Sequence, residues 1–336
     1  MKKYVISLIT FCCVAAMIPG SYAQESNVYS LDKTISLPGD GGYDYLFVDQ
    51  QNRKLYVSHG NSVNVVDLNT EELVGTIDQM QGVHGIAIAN NAGKGFISDG
   101  KANAVVVFDI NTLKIVTTIP VSGKKPDAII YDPFSNKVFA FNGGSDNASV
   151  IDVNTLKETG TIELSGGPEF AVADGNGKIY NNIEDKNALK VIDSKSLTVI
   201  NTYPLSPCGG PTGLALDATN QRLFTVCREN KGMSVVDIHS GKVIATVAIG
   251  SGVDAVAYDA ATKLIFCSCG DGTTTIIKQE TADKYTVMQT LTTQVKAKTL
   301  ALDPQTHKIY LSVMDFVTGT KKPVAGSFKL LVYKMN

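Results

Sequence analysis

Tryptophan is absent from all 336 residues. That removes any repeat built on a Trp-Asp dipeptide and any site that docks a quinone on indole. The chain also lacks a Gly-x-Ser-x-Gly elbow, a P-loop and a dinucleotide fingerprint in strand–helix context, so three common routes to hydrolysis, phosphoryl transfer and hydride transfer have no support. No CxxC pair and no Cys/His cluster with zinc spacing occurs. Positive charge is not in excess either: 30 Lys and Arg face 32 Asp and Glu, with no basic run. A nucleic-acid partner needs cations to displace counterions from phosphates, so this balance argues against one.

Long apolar runs are missing beyond the first twenty residues. Lys2 and Lys3 precede the apolar stretch 4–18, Pro19-Gly20 interrupts it, and Ser21-Tyr22-Ala23 offers small residues for cleavage. This reads as a secretory signal over 1–23, too short and too soon broken for a stable membrane anchor. Cys12 and Cys13 fall inside it without a lipoprotein context. Its removal leaves 28 basic and 32 acidic residues, a net charge of −4, and an exported chain that is periplasmic or extracellular.

What the chain does contain is a unit repeated seven times. Each opens with a short apolar strand ending in a turn, marked by Asp49, Ala89, Asp132, Asp174, Asp217, Asp259 and Asp303. The steps are 40, 43, 42, 42, 42 and 44 residues. A Lys/Arg-flanked aromatic strand, a Val/Ile-Asp strand and a fourth β-branched strand follow in each unit. Four strands in about 42 residues is the signature of a β-propeller blade, and short β-branched runs exclude a helical solenoid. The Asp after each third strand (Asp67, Asp109, Asp152, Asp193, Asp237) precedes Ser, Thr or Asn and builds an Asx turn. Glycines at the blade openings (Gly42, Gly82, Gly123, Gly167, Gly210, Gly252) serve tight turns.

The seventh unit runs out before its fourth strand, while residues 28–37 belong to no unit. Lys33-Thr-Ile-Ser-Leu37 reads like the fourth strands elsewhere, so the N-terminal strand is expected to close the last blade. The expectation is therefore an all-β chain: one seven-bladed propeller of four-stranded antiparallel blades over 24–336, and a monomer.

Three segments carry a family resemblance. Val83-His84-Gly85-Ile-Ala-Ile88, Lys137-Val-Phe-Ala-Phe-Asn142 and Asn147-Ala-Ser-Val-Ile-Asp-Val-Asn-Thr155 resemble the opening, the core and the turn of the YVTN-type, YncE-like repeat. The resemblance extends over 28–336. It implies the propeller fold and an exported binding or surface protein, and one bacterial member of the family is associated with single-stranded DNA.

Candidate site residues follow from register. The position five before each marker reads Asp44, His84, Asp127, Glu169, Thr212, Asp254 and Lys298: one polar residue per blade at the channel rim. The second-strand ends add His59, Asp99, Asn142, Asn182 and Arg228 on the same face. Three roles are open to this rim. It can solvate the opening and cap turns, bind a small molecule or a protein partner, or hold a divalent cation through His59, His84, Asp44 and Asp127, with Asp99 nearby. No resident cofactor is expected beyond that cation. The leading reading is a non-catalytic binding or scaffold propeller, and the alternative is a metal-dependent, lactonase-like hydrolase working in the channel. His239 and His307 map to the opposite face as surface residues. Cys208 and Cys227 lie at one end of one blade, where a disulfide is conceivable, whereas Cys267 and Cys269 read as small buried hydrophobes.

Overall fold

The computed structural model describes residue 1 and residues 28–336, so the signal segment expected over 1–23 lies, apart from residue 1, outside the described residues. Among the described residues, seven four-stranded antiparallel sheets make up the fold. Blade 1 consists of Tyr43–Asp49, Lys54–His59, Ser62–Asp67 and Glu72–Ile77. Blades 2 to 7 open with Val83–Ala89, Pro126–Asp132, Pro168–Ala173, Pro211–Asp217, Val253–Asp259 and Leu300–Asp303. Each opening strand touches that of the next blade, and the seventh touches the first, so the ring is closed around a central channel. No described helix is long and apolar enough to cross a membrane.

Burial follows position within the blade. Second and third strands are sandwiched between neighbouring blades and are almost wholly buried, as in Lys54–His59 and Ala104–Asp109. Their Val, Ile, Phe and Tyr side chains fit such two-sided burial. Fourth strands alternate exposed and half-buried because only one face is covered, as in Lys157–Glu163. The core is accordingly a set of inter-blade clusters. One joins Tyr56, Val63 and Val65 of blade 1 to Ile86, Ile97 and Phe108 of blade 2.

The last blade is closed as expected. Tyr29–Ser36 pairs antiparallel with Lys329–Met335, with Tyr29 opposite Met335 and Ser36 opposite Lys329. Tyr29 is buried, its ring meets Phe266 of blade 6 edge-on at 5.1 Å, and its hydroxyl donates to the His307 carbonyl at 2.6 Å. The N-terminal strand thus fastens blade 7 to blade 6 as well as completing its own sheet.

The marker aspartates do structural work on the far face. Asp49 accepts the Gln51 and Asn52 N–H groups at 3.1 and 3.3 Å, and the third-strand Asp67 accepts those of Asn69 and Thr70 at 2.8 and 2.9 Å. Where Ala89 replaces the Asp, a 3-10 turn, Asn90–Ala92, takes over, closed by Gly93 at φ 64°. Asn90 then donates to Asp49 of the preceding blade at 3.0 Å. Arg53, in the turn before the second strand of blade 1, forms a two-pronged pair with buried Asp303 of blade 7, both contacts at 2.7 Å. His307 occupies the same turn position in blade 7 and reaches buried Asp259 of blade 6 at 2.6 Å. The reading of His307 as an ordinary surface residue is corrected here: its turn, at φ 58°, aims the imidazole back at the preceding blade. His239 is exposed.

Candidate functional site at the channel mouth

Each of the first six opening strands is irregular at the same place. Register breaks between Tyr43 and Leu46, Val83 and Ile86, Pro126 and Ile129, Pro168 and Ala171, Pro211 and Leu214, and Val253 and Ala255. Such bulges bend a strand and re-aim a side chain. The residue re-aimed is the rim position: Asp44, His84, Asp127, Glu169, Thr212 and Asp254. In the seventh blade the strand is short, and Lys298 lies just before it. Second-strand side chains tie the bulged backbone across blades. Ser98 donates to the Asp127 carbonyl, Asn182 to the Thr212 carbonyl and Ser268 to the Lys298 carbonyl, at 2.5, 2.9 and 2.5 Å.

Two charged arcs result. In blades 1 to 3, His84 Nδ1 lies 2.7 Å from Asp44 Oδ2 and 3.6 Å from Asp127 Oδ1. One ligand atom from each of these three residues falls within 4.8 Å of the others, a spacing open to a divalent cation. In blades 4 to 7, Arg228 bridges Glu184 at 2.7 Å and Asp254 at 2.5 Å, and Lys298 takes the other Asp254 oxygen at 2.5 Å. Burial pulls the His84 pKa down, but the Asp44 hydrogen bond and the Asp127 charge outweigh it, and the net shift is upward. Arg228 and Lys298 are likewise held in their charged forms, against burial, by Asp254.

Glu169 lies between the arcs with no side-chain hydrogen bond or ion pair among the described residues. Its carboxyl is pushed up to about 8, first by burial and then by Glu184, Asp127 and Asp254. Asp127 is raised to about 6 by burial and by Asp44, with His84 opposing. Carboxyls that share a partly dry mouth resist ionising together, and such clusters concentrate at functional sites.

Beneath the rim sits Tyr45, whose contribution the rim register does not show. Its phenol is driven well above the ordinary tyrosine range, first by burial and then by Asp127, Asp44, Glu169 and Asp254. No described residue hydrogen-bonds its hydroxyl. The ring packs against Phe170 from blade 4, with centroids 5.5 Å apart. Its signal in the sequence is bulk. The equivalent positions hold Gly85, Ala128, Gly213, Ala255 and Thr299, and only Phe170 matches it in size. Below this pair the channel opens into an apolar cavity of about 410 Å³, walled by Ile86, Ala128, Ile130, Ala173 and Leu216 among others. Glu184, in a 3-10 turn, also joins the mouth, and no sequence periodicity points to it.

Other expected site residues lie apart from this mouth. His59 is 1% exposed and stacks on Phe328 of blade 7, with ring centroids 3.8 Å apart. Burial lowers its pKa, so it sits there as a neutral, packed ring. Asp99 is buried and accepts the Gln81 and Gly82 N–H groups at 2.9 and 2.8 Å. Asn142 is buried and bonds Asn147 and Ser149 at 2.9 and 3.0 Å. Second-strand ends therefore cap turns, pack or brace the next blade, whereas Asp44, His84, Asp127, Glu169, Asp254 and Lys298 converge with Arg228; Thr212, expected at the rim, is instead 1% exposed, its hydroxyl against the Val226 and Val253 carbonyls. Cys208 and Cys227 form a disulfide with Cα atoms 5.2 Å apart. Cys267 and Cys269 are free and buried, and burial pushes the Cys269 thiol up to about 12, well out of the reactive range.

No protein-family model matches the chain, and no curated protein matches it. Solved structures do. A chain of a structure entitled "Crystal Structure of Mitotic Checkpoint Complex" aligns over 100% of this chain and 99% of its own, with a TM-score of 0.75 at 12% sequence identity. Likeness at that identity establishes the propeller fold and leaves function to the site.

Proposed function

We propose that the chain is an exported binding propeller of the YVTN-type, YncE-like kind, which holds a small molecule or a partner's side chain at the mouth of its channel. The observation that carries this reading is convergence. Polar residues about 42 positions apart are turned by repeated bulges onto one opening, where two carboxyls are raised and one lacks a partner. A merely solvated opening requires neither feature. The Cys208–Cys227 disulfide supports an oxidising compartment. A mouth with five carboxyls does not suit phosphates, so nucleic acid is disfavoured on this face.

A compound screen by thermal shift tests the proposal, using the parent, Glu169→Gln, Arg228→Ala and the opposite-face control His239→Ala. Binders should lose their shift in the two rim variants and keep it in the control. Binders indifferent to both rim changes would place the site elsewhere and overturn the reading.

The spacing of Asp44, His84 and Asp127 favours a second reading, a divalent cation serving a lactonase-like hydrolysis. Metal analysis of the purified protein, with ester and lactone turnover assayed with and without chelator, decides between the two.

A further inference from the structure

We propose that the channel binds an amphipathic amine: an ammonium held by Asp127, Glu169 and the Tyr45 hydroxyl, with its hydrocarbon part in the apolar bore below. This rests on the channel-mouth reading above and names the class of ligand. Three independent features carry it.

The first is charge. Arg228 is engaged by Glu184 and Asp254, Lys298 by Asp254, and His84 by Asp44 and Asp127. Among the described residues of the mouth, Glu169 is the carboxyl with no ion pair, and the five carboxyls outnumber the three cationic groups, Arg228, Lys298 and His84, by two. An anionic ligand would add to that imbalance. The second feature is hydrogen-bonding capacity. The Tyr45 hydroxyl lies under the acids without a partner, and its oxygen is an acceptor. An ammonium offers three donors, which matches two carboxylates and one phenol. The third is the shape of what lies beneath. Tyr45 and Phe170, each next in sequence to a rim acid, also line the cavity of about 410 Å³, whose walls are mainly hydrocarbon. A cation placed there also meets aromatic ring faces. A bare metal ion would use the carboxylates and leave the bore without a role, and a neutral amphiphile would leave Glu169 without an ion pair. An apolar pocket with a few convergent polar groups is the ordinary architecture of a small-molecule site.

Titration calorimetry with n-hexylammonium, and with its ethyl-to-octyl series, tests the assignment, with hexanol and hexanoate as controls. Hexylammonium should bind at one site, and each added methylene should tighten binding about fourfold until the bore is full, the increment expected for a buried CH₂. Glu169→Gln should weaken every amine by about tenfold or more, the loss of a charge-assisted contact. Ala173→Phe, which fills the bore, should abolish the chain-length dependence while leaving ethylammonium unchanged. Both variants are checked for parent-like cooperative unfolding first. Hexanol or hexanoate binding as tightly as hexylammonium, or a parent protein blind to chain length, overturns the proposal. If hexylammonium fails while screened compounds bind through Arg228 and Glu169, the amine assignment falls and the channel-mouth reading stands. If nothing binds in a rim-dependent way, both fall.

Discussion

Tyr29 is the residue on which closure of the ring can be measured. Its side chain is 1% exposed and sits between blade 6 and blade 7. Its backbone N–H donates to Gln289 Oε1 at 2.8 Å, and its carbonyl accepts from Gln289 Nε2 at 2.9 Å. Tyr29→Ala removes a buried aromatic ring, a loss of roughly 3 to 5 kcal/mol in a core that cannot fully collapse. It also removes the hydroxyl that satisfies the His307 carbonyl, about 1 kcal/mol more. Taking about 2 °C per kcal/mol for a chain of this size, the melting temperature should fall by roughly 8 to 12 °C. Leu31, on the same strand but 53% exposed, is the control: Leu31→Ala should stay within about 0.5 kcal/mol of the parent. Circular dichroism is the suitable probe, since there is no tryptophan to report by fluorescence. Deleting the whole strand should do worse, exposing the edge of Lys329–Met335 and promoting aggregation. A Tyr29→Ala protein melting within a degree or two of the parent would refute the closure argument.

Other expectations follow from the same geometry. Arg53→Ala strands the buried Asp303 carboxylate and should cost about 3 to 5 kcal/mol, read by urea unfolding; a loss below 1 kcal/mol would show the pair to be dispensable. Removing the Cys208–Cys227 bridge by Cys227→Ser should cost about 3 kcal/mol for a loop of 19 residues, and mass analysis with and without reductant should show two fewer hydrogen atoms in the native protein than in its reduced form. Glu169 is raised from an ordinary 4.5 to about 8, so the native state binds its proton more tightly than the unfolded chain does, and stability falls as pH rises between those values. Glu169→Gln should therefore raise the melting temperature at pH 9 and leave it unchanged at pH 4; an equal effect at both would mean the carboxyl is not repelled by its neighbours. His84 is raised by Asp44, so its contribution is present below about pH 6.5 and lost as pH rises through its folded value; Asp44→Asn should remove that dependence from the melting profile.

The repeat was legible in the chain because a blade is local. Four strands, their tight turns and an Asx-capped Asp recur within about 42 residues, and each leaves its mark in β-branched runs and Asp-Asn-Thr turns. Ring closure was legible too, since the missing fourth strand of blade 7 and the unassigned residues 28–37 are complementary absences. The rim positions could be placed by counting back from the marker Asp, and six of the seven fall at a bulge, although Thr212 is buried there. Tertiary structure decided the rest. His59 and His84 look alike in sequence, but Phe328, about 270 residues away, covers one and leaves the other facing Asp44. Asp99 and Asp254 are both acids near the same face, yet one caps two N–H groups of its own blade while the other collects Arg228 and Lys298 from the blades on either side. His307 becomes an inter-blade partner only because blade 6 presents Asp259 to it. Local pattern fixes which way a side chain leaves its strand. What it meets is set by the neighbouring blade, and in a closed ring that blade can lie at the other end of the chain.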